Sequence, residues 1–105
     1  MNIIKEWELN FPSSSENNDF LLPTYSKTES LVVEVNGNQK VKLTSNDLPI
    51  SLMSAKDFSI YEGGTYTTEP GIYYGSISGL KYFTISIDPS TVSSEGTVTI
   101  RVVGD

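Results

Sequence analysis

Val, Ile and Thr fill 27 of the 105 positions, whereas alanine occurs once, at Ala55. Branching at Cβ crowds χ1 against the preceding turn of a helix and suits the pleated surface of a sheet. A chain with so little of the best helix former is thereby restricted to β architecture. The restriction shows locally. Phe83, Ile85 and Ile87 alternate with Tyr82, Thr84 and Ser86, and Val98, Ile100 and Val102 alternate with Thr97, Thr99 and Arg101. This period of two turns one set to a core and the other to solvent.

The same pattern recurs along the chain. Ile3, Trp7, Leu9 and Phe11 share one parity, with Lys5 the exception on the apolar face. Pro12 and the polar run 13–19 end this strand and read as a loop or linker. Phe20-Leu21-Leu22-Pro23 is an apolar anchor that Pro23 bars from a central strand. Around Asn36-Gly37-Asn38 the mirrored parity predicts a hairpin with a three-residue loop. Leu31 then faces Leu43, Val33 faces Val41 and Val35 faces Gln39, with Val32 and Glu34 opposite Lys42 and Lys40. Gly37 or Asn38 takes a positive φ there. Further expected elements are a short edge strand in 48–52, a helical turn at 54–57 and strands at 58–62 and 72–77. A type II turn is expected on Pro70-Gly71.

Short strands at this spacing predict a single all-β domain, an antiparallel β-sandwich (immunoglobulin-like or jelly-roll-like) of roughly seven to nine strands. Within it, residues 1–30 form an N-terminal strand and extended arm or loop, and 31–105 form the body. The arm has two options: pairing inside its own sandwich, or adding to the sheet edge of a neighbour.

The stretch from Phe83 through Ile-Asp-Pro-Ser to the Gly-Thr-Val-Thr-Ile run ending near Val102 resembles the closing strands of bacterial and phage immunoglobulin-like modules. The resemblance covers about a fifth of the chain. It implies an adhesive, accessory or virion-surface module and carries over no catalytic residue. The Cys…Trp…Cys core of antibody-type domains is absent.

Function is narrowed mainly by exclusion. Without His or Cys there is no Ser-His-Asp or Cys-His pair, no zinc site of the usual kind and no disulfide. The formal charge of −6 disfavours nucleic acid and anionic membranes as partners. No apolar h-region follows Met1, so no secretory signal is expected. Paired carboxylates can hydrolyse glycosides without His, but Glu6/Glu8, Glu62/Glu69 and Asp57/Glu62 read as scattered surface acids. Asn17-Asn18-Asp19, Asn46-Asp47 and Asp88 lack the ligand pattern of a calcium loop. Neither metal nor cofactor is expected.

Binding residues are left. Five of the six tyrosines fall between 61 and 82, and exposed tyrosine rows stack on sugars or form protein interfaces. Tyr73 and Tyr74, being adjacent, point to opposite faces. The candidate interface comprises Trp7, Phe11, Phe20, Leu21, Tyr61, Tyr66, Tyr73 and Tyr74. The expected function is a non-enzymatic structural module of a larger assembly, a phage or virus virion accessory protein such as a capsid decoration, fibre or tail component. It would be made in the host cytoplasm, located in the virion and partnered by other structural proteins or its own copies. A carbohydrate-binding module using exposed tyrosines is the alternative, and an antagonist of a host enzyme a third option.

Overall fold

The computed structural model describes residues 2–22 and 28–104. Its strands are β1 (Asn2–Phe11), β2 (Asn17–Leu21), β3 (Thr28–Gly37), β4 (Val41–Ser45), β5 (Leu48–Ile50), β6 (Leu52–Ser54), β7 (Ile60–Tyr61), β8 (Gly71–Ser76), β9 (Tyr82–Ile87) and β10 (Gly96–Gly104). They form two antiparallel sheets, ordered β1-β10-β3-β8-β6-β7 and β2-β9-β4-β5. The all-β sandwich expected from the sequence is what folds. Among the described residues it has ten strands rather than seven to nine, because short pieces such as β5, β6 and β7 pair separately.

The core lies between the sheets. Leu31, Val33, Val35, Val98, Ile100 and Val102 project from the larger sheet, and Val41, Leu43, Phe83, Ile85 and Ile87 from the smaller. All eleven are at most 1% exposed, so each contributes roughly 1.5–3 kcal/mol of burial. These are the inward sets that the alternation assigns.

The hairpin expected at 31–43 is not formed. β3 pairs with β10 and β8, whereas β4 pairs with β9 and β5 in the opposite sheet. The chain crosses between sheets at 38–40. Parity says which side chains meet the core, and two strands facing it from opposite sheets show the same mirrored parity as a hairpin. The expected charge pairs dissolve accordingly: Glu34 meets Arg101, and the Lys42 ammonium lies 4.8 Å from the centre of the Tyr66 ring. Gly37, expected to be left-handed in that turn, instead ends β3 opposite Gly96 with φ 150°.

Gln39 fills the crossing. It is 1% exposed, and its Nε2 donates to the Ser94 carbonyl at 2.7 Å and the Thr91 carbonyl at 3.4 Å. Its Oε1 accepts no hydrogen bond. That oxygen lies against two opposed glycines, Gly37 and Gly96. A Cβ would come within 2.5 Å of it at Gly37 and 2.3 Å at Gly96. Both positions are glycine because the amide occupies the side-chain space.

The N-terminal strand pairs in its own chain. β1 lies antiparallel to β10 with a bulge between Ile3 and Lys5, which reverses the parity and leaves Ile3 59% exposed. Asn17–Asp19, read as linker, are strand: β2 pairs with β9 from Asn17↔Ser86 to Leu21↔Tyr82. Trp7, Phe20 and Phe83 close the open side of the sandwich, with ring centroids 4.7–5.8 Å apart. Residues 1–30 are therefore no free arm where described; Pro23 lies outside the described residues.

Local signals fared unevenly. A single helical turn follows β6, closed by Phe58 N–H donating to the Ser54 carbonyl at 3.0 Å. The strand at 58–62 contracts to Ile60–Tyr61. No hydrogen-bonded turn forms on Pro70-Gly71, where Gly71 has φ 152° rather than the roughly 80° of a type II turn. The turn falls earlier: Thr65 N–H donates to the Glu62 carbonyl at 2.9 Å, with Gly64 at φ 87°. Asn46 and Asp47, with φ of 53° and 62°, make the two-residue turn between β4 and β5.

Candidate functional site

The outer face of the six-stranded sheet is divided. One row of side chains crosses all six strands through the pairings Glu6↔Arg101, Arg101↔Val32, Val32↔Tyr74, Tyr74↔Met53 and Met53↔Ile60. A second row runs Glu8↔Thr99, Thr99↔Glu34 and Glu34↔Ile72. Charge collects at one end and apolar surface at the other.

At the charged end Arg101 reaches two carboxylates. Its Nε donates to Glu6 at 2.9 Å and its Nη1 to Glu34 at 3.0 Å. The guanidinium, aided by the Asn36 amide, holds the Glu34 carboxyl below the usual carboxylate value, and the two acids raise Arg101 in turn. Exposed pairs of this kind add about 0–1 kcal/mol each, so the triad sets the register of β1, β10 and β3 more than it stabilises them.

At the apolar end β8, β6 and β7 expose Ile72 at 42%, Tyr74 at 41%, Met53 at 37% and Ile60 at 66%. Phe58, in the loop before β7, is 71% exposed and has a φ of 58°. A bulky side chain rarely accepts that conformation. Beside Met53, Ile60 and Tyr74 lies an open groove of about 270 Å³, lined by these three with Ser30, Ser51, Leu52, Gly75 and Ser76. Five large apolar side chains at one corner exceed the scattered single hydrophobics of an ordinary surface.

The eight residues that the sequence nominates do not form one surface. Phe11 at 4% and Tyr73 at 2% exposure belong to the core, a correction to their reading as interface. Both fall on the inward parity of central or long strands. The Tyr73 hydroxyl donates to the Glu69 carbonyl, its ring meets Tyr61 edge-on at 5.7 Å, and burial first, then Tyr61, pushes its phenol up to about 12. Trp7 and Phe20 are half-buried in the aromatic seam. Tyr61 is half-buried and bonds Thr68 at 3.0 Å, and Tyr66 lies beside Lys42. Leu21 is 80% exposed at the edge of the smaller sheet. Tyr74 alone joins the apolar corner.

Met53, Phe58, Ile60 and Ile72 were missed. A signal exists at 58–61, where Phe58 and Ile60 occupy one parity and Tyr61 the other, so a strand there must show one of them to solvent.

The polar candidates are occupied locally. Asn17 and Asp19 accept from Ser86 and Thr84, Asn46 accepts from Tyr82, and Asp88 accepts from Ser90. Among the described residues no three His, Cys, Asp or Glu side chains group to hold a metal.

No family model matches the sequence, and no curated protein matches it. Among solved structures, the chain is similar to the crystal structure of SPBc2 prophage-derived protein YomS. The match has a TM-score of 0.59 and 20% sequence identity, over 98% of this chain and 97% of that one. It extends the shared fold from end to end.

Proposed function

We propose that the chain is a non-enzymatic structural module of a phage-derived assembly, held in the virion by protein–protein contact. The observation that carries this reading is the exposed apolar corner of Met53, Phe58, Ile60, Ile72 and Tyr74. Such a patch is a surface for docking, since leaving it in water is unfavourable and covering it is not. The phage setting is supported by the end-to-end likeness to a prophage-derived protein. The immunoglobulin-like resemblance of 83–102 points to the same kind of accessory role. The acids fit a binding protein as well: Glu6 and Glu34 hold Arg101, and Asp57 and Asp88 cap turns.

The test is particle composition. Particles released by a host carrying the gene are banded on a density gradient and assayed by mass spectrometry. The chain is expected in the band at a fixed ratio to the major particle protein. Recovery only from the soluble fraction overturns the proposal.

A further inference from the structure

We propose that the apolar corner is a two-fold contact between copies of this chain, with Phe58 of each copy seated in the groove of the other. The inference deepens the docking reading above and rests on it for the corner being an interface at all.

Shape is the first argument. Phe58 stands out of the loop on a backbone that suits glycine, and 71% of it is exposed. Strained backbone of this sort is kept where a side chain must be presented. The groove, which begins at Ile60 two residues further on, is lined by the small Ser30, Ser51, Gly75 and Ser76 and the larger Leu52, Met53, Ile60 and Tyr74. Knob and hole lie at the same corner of one molecule. A two-fold axis therefore fills both grooves at once, because in an isologous contact each surface meets its own copy.

Area is the second argument. The exposures of the five apolar side chains, at roughly 180 Å² per large side chain, give a patch on the order of 450 Å². That is a little over half of the roughly 800 Å² per partner of a standard interface, with exposed Lys56, Asp57 and Ser59 beside it to add polar area.

Charge is the third. The rim carries Lys56 beside Asp57, whose Oδ1 is fixed by the Ser59 N–H at 3.0 Å and hydroxyl at 2.7 Å. One charge of each sign is self-complementary across a two-fold axis. Of the acids on this face, Glu6 lies on β1, four strand spacings or about 19 Å from β6 and beyond the roughly 8 Å screening length at physiological ionic strength. Glu34 sits directly opposite Ile72, but its charge is met in place by Arg101, whose Nη1 donates to it at 3.0 Å.

Sedimentation velocity of the full chain between 1 and 200 µM, loadings on the order of typical transient-dimer affinities, decides the matter. The wild type is expected to form a dimer. Phe58→Gly relieves the backbone and removes the knob, so its melting temperature stays level or rises while dimerisation weakens at least tenfold. Met53→Glu, at the groove wall, weakens it similarly. Lys56→Glu weakens it two- to fivefold, the size of a rim ion pair. A wild type that stays monomeric throughout the range, or a Phe58→Gly variant that dimerises as well as wild type, overturns the proposal. If the wild type is monomeric yet Met53→Glu no longer enters particles, the docking reading stands and the second copy is rejected. If the wild type dimerises but is absent from particles, the reverse holds.

Discussion

Gly96→Ala is the smallest change that tests how the two sheets are joined. Its added Cβ would lie 2.3 Å from Gln39 Oε1, 2.9 Å from the Asn36 carbonyl oxygen and 3.0 Å from Gly37 Cα. The first neighbour is a side chain at 1% exposure with no route to water. The other two are backbone, fixed by the pairing of β3 with β10. Overpacking typically costs 1–3 kcal/mol, and because no neighbour yields easily we expect about 3 kcal/mol here. Gln39→Ala removes the short hydrogen bond to Ser94 and leaves a small void, but it also removes a buried unpaired oxygen. These terms partly offset, so its cost is expected near 2 kcal/mol.

The double variant separates the contacts. If the Oε1 clash is a real part of the Gly96→Ala penalty, removing the amide relieves it, and the pair costs about 1 kcal/mol less than the two singles together. The two backbone contacts persist, so relief is incomplete. The assay is urea denaturation followed by fluorescence of Trp7, the only tryptophan and part of the aromatic seam. Midpoints are compared only where the slopes agree. A Gly96→Ala cost below about 0.5 kcal/mol, or strict additivity of the pair, refutes the packing account.

Three further outcomes are expected. Phe20→Ala frees the smaller sheet's edge from Trp7 and Phe83; being half-buried, it costs about 2–3 kcal/mol, below the usual core value, and Trp7 emission shifts to the red. Tyr73 ionises only near pH 12; absorbance at 295 nm should show a late step that Tyr73→Phe abolishes. Since that phenol is raised, its contribution to stability is present below the ordinary value of 10 and is lost as pH climbs toward 12. Glu34 is lowered by Arg101, so the sign is opposite. The melting-temperature gap between wild type and Glu34→Gln is full above the ordinary value of 4.5 and closes as pH falls below it; a gap that widens in acid would contradict the Arg101 pairing.

The faces of the strands were legible in the sequence; their partners were not. Alternation is a local signal, and it named Val98, Ile100, Val102, Phe83, Ile85 and Ile87 as inward, all of them fully buried. Pairing is a global choice. Val35 and Gln39 mirror one another about Gly37 as hairpin residues would, yet Val35 pairs with Val98 and Gly71 while Gln39 plugs the crossing between sheets. A buried glutamine flanked by glycines in space leaves no trace in a linear pattern, since Gly37 and Gly96 are 59 residues apart. The bulge at Ile3–Lys5 moves Ile3, not Lys5, off the face of Trp7, Leu9 and Phe11; Lys5 keeps their parity opposite Val102 and stays exposed on an edge strand.

The site was hidden for a related reason. Chemical type does not distinguish the Tyr73 that seals a core from the Tyr74 that faces water; only the side of the strand does. The same parity brings Ile72 out beside Tyr74, and pairing to β6 and β7 then adds Met53 and Ile60. Each of these looks like a core residue taken singly. What makes them a surface is that β6 and β7 are three- and two-residue strands at the end of a sheet whose outer face no further layer covers among the described residues. A fold that places its apolar excess on an uncovered corner, while paired charges gather on the strands toward the other edge, has divided one face between charge and apolar surface.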